Sequence, residues 1–209
     1  MRDRVMTTNG TNELTGRVFL VRHGRTPLNA DGRLRGRLDP PLDEVGEREV
    51  VALARELATR RIVRILASPL TRAMQTAQAI GEATWLPVSP RGGLLDRDYG
   101  EWAGVSESEV VQRFGSVDAA PGVEPIESVI ERARDVLEQQ REVLERGDVV
   151  LVTHDAVLKS LLRTLDPQLA PDLRQRTACW NEIRPTTGGW QVVAVDQVAN
   201  LSPAEDAGR

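Results

Sequence analysis

Histidine occurs twice in the chain, each time at the end of an apolar run. "FLVRHGRTPLN", Phe19 to Asn29, carries His23 directly after Arg22, and "VLVTHDAVLK" carries His154 directly before Asp155. Imidazole is the side chain best suited to attack, accept a proton or donate one near neutral pH. A third polar group, Ser68-Pro69-Leu70-Thr71-Arg72, follows another apolar stretch. In open α/β sheets such strand ends border the ligand crevice, and helix N-termini there add N–H donors and positive dipole ends. Two arginines and two histidines at one point repel one another unless an anion joins them. A phosphate group accepts bidentate arginine contacts and further donors at once. The local chemistry therefore points to an anion, phosphate above all.

Positioning those groups requires strands that end where they begin. The apolar runs predict buried strands at 17–22, 63–67 and 149–153, with a further short strand at 85–89 and a late pair at 178–184 and 190–195 around the turn "PTTGG". Helical periodicity predicts helices over 43–60, 125–146 (the longest, closed by Gly147) and 155–165. Ser68 and Pro69 read as N-cap and first residue of a helix reaching 83. Residues 90–124, rich in Gly, Pro and Asp, form an excursion with one short helix, for which Ser106 and Glu109 fit a capping box. Strand and helix in alternation predict a three-layer α/β/α domain with a mostly parallel sheet. That single domain is expected over 16–196, with polar, flexible ends at 1–15 and 197–209.

Bulk composition narrows the classes. The 209 residues are 40% hydrophobic and 28% charged, which suits one globular domain. A formal net charge of -4 argues against a nucleic-acid binder. Cys179 is the only cysteine, so no intrachain disulfide forms, and no ligand spacing suggests zinc. No apolar run approaches the roughly 20 residues of a membrane span, and the N-terminus lacks the apolar core of a signal peptide. A cytoplasmic location is the expectation.

The segments "LVRHGRTPLN", "SPLTRAMQTA", "LLDRDYGEWAG", "APGVEPIESV" and "VLVTHDAVLKSLL" occur in the order and approximate spacing of the histidine phosphatase superfamily, and the chain resembles that family from about Arg17 to Val195. The resemblance implies a phosphoglycerate mutase-like fold and hydrolysis of a small phosphorylated metabolite without metal or other cofactor. His23 would form a phosphohistidine that water then hydrolyses. Arg22, Arg72 and His154 would hold the phosphoryl oxygens, with Asn29 and Thr26 as further donors. Asp96 stands where the family's small phosphatases usually place a glutamate, the general acid and base; Asp155 is the alternative, since another branch uses an aspartate directly after the second histidine. A mutase-type phosphotransferase and a catalytically weak phosphate-binding scaffold are the competing readings.

Other residues carry weaker expectations. Arg35, in "RLRGRLD", could receive a second anionic group of the substrate or lie on a solvated loop. Tyr99 and Trp102 are expected to pack the excursion rather than line the substrate mouth, Glu124 to orient an active-site arginine or to be an exposed helix-start acid, and Arg25 to be plain surface.

Overall fold

The computed structural model describes residues 16–200. The expected flexible segment 1–15 and most of the expected tail lie outside them. Twelve elements follow one another: β1 Val18–Arg22, α1 Pro27–Ala30, α2 Glu44–Leu57, β2 Ile62–Ala67, α3 Thr71–Thr84, β3 Val88–Pro90, α4 Glu107–Phe114, α5 Ile126–Glu138, β4 Asp148–Thr153, α6 Asp155–Leu165, β5 Trp180–Thr186 and β6 Gly189–Gln197. The sheet order is β3-β2-β4-β1-β5-β6. The first four of these strands are parallel; β5 runs antiparallel to β1, and β6 to β5.

Alternation along the central strands builds the layers. Val18 and Leu20 of β1, with Val149 and Leu151 of β4, face α5 and α6. Phe19 and Val21, with Val150 and Val152, face α2 and α3. Both faces of β1 and β4 are therefore covered, which is why these strands read as unbroken apolar runs. The expected three-layer α/β/α architecture is present, with a mostly parallel sheet.

Four local expectations need correction. The helix after β2 begins at Thr71, because Asp39 from a distant loop caps it: Thr71 N–H donates to Asp39 Oδ1 at 2.6 Å and Thr71 Oγ1 to Oδ2 at 2.8 Å. Ser68 is left free for another partner. The long helix expected to 146 stops at Glu138 and yields to a short 3-10 turn, Arg141–Glu145. There the buried Gln140 turns its amide back onto the Val136 carbonyl (2.8 Å) and accepts from Arg64 (3.1 Å). Ser106 does precede α4, but its hydroxyl meets Ser108 at 2.6 Å and forms no capping box. Trp85, expected to open a strand, instead closes α3 with φ 58° and is 93% exposed; β3 starts at Val88.

The loop after β1 is pressed against α2. A Cβ on Gly24 would lie 2.9 Å from the Gly46 carbonyl oxygen, and one on Gly46 only 2.1 Å from that of Arg25. Arg25 is part of the same clip rather than free surface: its Nε pairs with Asp43 at 2.9 Å while Asp43 caps α2 through Gly46 N–H at 2.8 Å. Gly46→Ala should therefore lower the unfolding free energy by about 1–3 kcal/mol. Gly92→Ala, where a Cβ meets nothing within 4 Å, should stay within about 0.5 kcal/mol of the parent. Urea unfolding of the two variants checks the contrast.

Candidate active site

β1 and β4 pair in parallel from Val18↔Val149 to Arg22↔Thr153, so the next residue on each strand is a histidine. The His23 and His154 rings lie with centroids 5.1 Å apart, both fully buried. His23 Nδ1 is 2.7 Å from the Gly24 carbonyl oxygen, which can only accept, so Nδ1 carries the proton and Nε2 the lone pair. Arg72 Nε donates to that Nε2 at 3.3 Å. Arg72 comes from the first turn of α3 and is itself fully buried. Its other nitrogens donate to Leu38 O (2.7 Å), Gly36 O (3.0 Å) and Asp96 Oδ2 (3.0 Å). Thr76, one turn on, accepts from Gly24 N–H at 3.1 Å and ties the nucleophile loop to α3.

Asp96 faces the same point. Its Oδ2, bound by Arg72, lies 3.8 Å from His154 Nδ1, and its Oδ1 accepts from Arg97 N–H at 2.9 Å. The loop carrying Asp96 is held from α5. Arg132 donates to the carbonyls of Gly93 (3.0 Å), Leu95 (2.5 Å) and Asp96 (3.1 Å) and pairs with Glu124 at 3.0 Å. Thr153 at the end of β4 adds a bond to Leu94 O at 2.8 Å. Glu124 thus orients an arginine, though one outside the anion cluster.

Arg22 donates to the Gln175 carbonyl and lies 3.5 Å from Asp155, which pairs with Lys159 at 2.9 Å. The Arg35 charge disfavours the protonated forms of both histidines, Arg22, Arg72 and Asp96, while its side chain donates to the Arg33 carbonyl at 3.4 Å. Among the described residues Arg22 Nε, Arg35 Nε, His154 Nδ1 and the carboxylate oxygen Asp155 Oδ1 are buried without a hydrogen-bond partner. Buried donors rarely stay unpaired, so the three donors suit a multivalent acceptor. Thr26 and Asn29 contact each other through the Asn29 oxygen: Asn29 Oδ1 accepts from Thr26 N–H (3.1 Å) and from its hydroxyl (2.8 Å). Trp102 meets Phe114 edge to face with centroids 4.9 Å apart and packs the excursion, as expected. Sequence reasoning missed Ser68, Thr76, Arg132 and Asp39. Ser68 and Thr76 lay within a recognised segment; Arg132 and Asp39 act across distances in the chain that carry no local signal.

Burial, then Arg72, holds both imidazoles well below their ordinary value of 6.5; Arg22 and Arg35 add to this at His23, and His23 and Arg35 at His154. Burial raises the Asp96 carboxyl, and Arg72 and Arg35 offset this only in part. Because His154 is neutral, its approach to Asp96 is not an ion pair.

These shifts set the sign of a stability profile. Below 6.5 the unfolded chain protonates imidazoles that the fold keeps neutral. The histidine contribution is thus complete above that value and lost as pH falls toward the folded pKa values. Asp96 works the other way, over a window opening at 3.8. Replacing His154 by Gln should flatten the rise of Tm between about pH 5 and 7, a slope of at most about 1.4 kcal/mol per pH unit for one histidine. Thermal scans of both proteins across that range check it.

Residues 18–197 match the histidine phosphatase superfamily (branch 1). Glucosyl-3-phosphoglycerate phosphatase of Mycolicibacterium vanbaalenii is 39% identical over 94 residues, 45% of this chain and 42% of that protein. Phosphoserine phosphatase 1 of Hydrogenobacter thermophilus is 37% identical over 98 residues, 47% and 46% of the two chains. The chain thus spans less than half the length of these two relatives. The uncharacterized phosphatase PhoE of Bacillus subtilis is 30% identical over 188 residues, covering 88% of this chain and 96% of that protein. A solved structure of mycobacterial glucosyl-3-phosphoglycerate phosphatase with VO3 superposes with a TM-score of 0.78 at 27% identity, covering 87% of this chain and 98% of that one. The family match takes in every strand of the sheet and both helical layers, and the chain belongs to branch 1 of the histidine phosphatase superfamily.

Proposed function

We propose that the protein is a metal-independent phosphatase acting on a small phosphomonoester through a phosphohistidine on His23. One observation carries this reading: the His23 Nε2 lone pair is fixed by the Nδ1 bond to Gly24 O and points among buried cationic and N–H donors, with Asp96 opposite. Phosphoryl oxygens bound by Arg22, Arg35, Arg72 and His154 place phosphorus in front of Nε2. The N–P bond forms as the P–O bond to the leaving group breaks. Asp96, whose carboxyl pKa burial raises from its ordinary value, gives its proton to the departing alkoxide. Water then attacks phosphorus, Asp96 takes a proton from it, the N–P bond breaks and phosphate leaves. Guanidinium groups supply the charge stabilisation that a metal supplies elsewhere.

Asp96 is favoured over Asp155 as the acid because it shares the buried point with His154 and Arg72, while Asp155 is engaged by Lys159 and Arg22. The relatives named for glucosyl-3-phosphoglycerate and phosphoserine direct the substrate search to small phosphorylated metabolites. Arg35 is the group placed to bind phosphoryl oxygens or a second anionic group beside them.

His23→Ala should abolish release of phosphate from an aryl phosphate, while a chelator leaves the parent rate unchanged. Asp96→Asn should lose far more activity on an alkyl phosphate, whose leaving group needs a proton, than on a nitrophenyl ester; Asp155→Asn should lose little on either. Undiminished turnover by the His23 variant would overturn the reading. For Arg35→Ala, a panel including glucosyl-3-phosphoglycerate, phosphoserine and nitrophenyl phosphate should show a drop in kcat/KM of about 10²-fold. A larger drop on the carboxylated substrates assigns Arg35 to the second anion; an equal drop assigns it to the phosphoryl group.

A further inference from the structure

Ser68 directly follows β2, and its backbone N–H is tied to Val152 O at 2.9 Å, so it sits at the seam between β2 and β4. The residue is fully buried. Its hydroxyl lies 2.8 Å from His154 Nε2 and receives the Leu70 N–H at 3.4 Å. Among the described residues no other acceptor is within hydrogen-bond reach of that hydroxyl. A buried O–H without an acceptor is costly. Oγ–H must then donate to Nε2, which requires the Nε2 lone pair and leaves the proton of the neutral ring on Nδ1. Nδ1 is the buried, unpartnered atom that faces Asp96 Oδ2 at 3.8 Å, a gap too long for a direct hydrogen bond.

We propose that Ser68 is a positioning residue that fixes the tautomer of His154, so that its Nδ1–H is the donor presented to the phosphoryl oxygens. The proposal rests on the phosphatase reading for what that donor meets, but the tautomer is independent of it. His23 and His154 then carry their protons on the same ring nitrogen for opposite ends. The Gly24 carbonyl turns the lone pair of His23 into the site; the Ser68 hydroxyl turns the N–H of His154 into it. In the other tautomer a lone pair on Nδ1 would face both the Asp96 carboxylate and an incoming phosphoryl oxygen, with no proton between them.

Long-range proton–nitrogen correlation spectra of the 15N-labelled full chain test this directly, since two histidines give two ring patterns and a His154→Ala spectrum assigns them. Near pH 7.5 the expected pattern for His154 is a protonated Nδ1 and an unprotonated Nε2. Inorganic phosphate should shift His154 Nδ1 more than Nε2. In Ser68→Ala the proton should move toward Nε2, with kcat/KM on an aryl phosphate falling about 10²-fold, the order seen when one oxyanion donor is lost. Ser68→Thr, which keeps the hydroxyl, should restore both the nitrogen pattern and most of the rate. A wild-type His154 protonated on Nε2, or a phosphate response confined to Nε2, overturns the proposal even if no variant folds. So does an unchanged pattern in a folded Ser68→Ala protein. The spectra need no turnover, so an inactive wild type would count against the phosphatase reading and leave the tautomer result standing.

Discussion

The site depends on the register between β1 and β4. Five consecutive parallel partners, Val18↔Val149 to Arg22↔Thr153, run without a shift into His23 and His154. Side chains alternate between two buried faces, so slipping one strand by a residue would exchange its core faces. Val18 and Leu20 would then leave the α5–α6 side for the α2–α3 side. Each such side chain contributes about 1.5–3 kcal/mol by burial, so the core enforces the register far more strongly than the polar residues at its end could. The distance between the two imidazoles is a product of hydrophobic packing.

What the packing brings together is electrostatically awkward, and the surrounding backbone makes it tolerable. Arg72 is fully buried, yet carbonyl oxygens of Gly36 and Leu38 and the Asp96 carboxylate satisfy its planar fork. Arg132 performs the converse service, using its donors to hold three carbonyls of the loop that carries Asp96. The imidazoles remain neutral because burial and neighbouring cations both disfavour their charged forms. Donors then outnumber acceptors at one point, an arrangement suited to an oxyanion in the making.

Much of this was legible in the chain because it is written locally. Apolar runs marked the strands, and the two scarce histidines at their ends marked the crevice. Arg72 and Asp96 were reached through segments compared with a family, and their mutual contact through the fold alone. What escaped was non-local. Ser68 before Pro69 has the appearance of a helix cap until Asp39, far away in sequence, is seen to cap Thr71 instead. The periodic apolar positions on both sides of Gln140 hid a break made by one amide and Arg64. Arg25 looked like surface because its partners, Asp43 and Glu49, are the N-cap and a second-turn residue of α2, some twenty residues on.

The excursion has a small core of its own, built from Leu34, Trp102, Val110 and Ala120, apart from the two clusters that flank the sheet. It is stitched through Leu34 N–H to Val105 O and Gly104 N–H to Leu34 O onto the stretch bearing Arg35 and the carbonyls that hold Arg72. Changes within it are transmitted to the rim of the anion cluster while the strands bearing the histidines are spared. Because the same excursion carries Asp96, a change in its small core bears on both the rim and the acid, while the strands that bear the histidines pack into the other two cores.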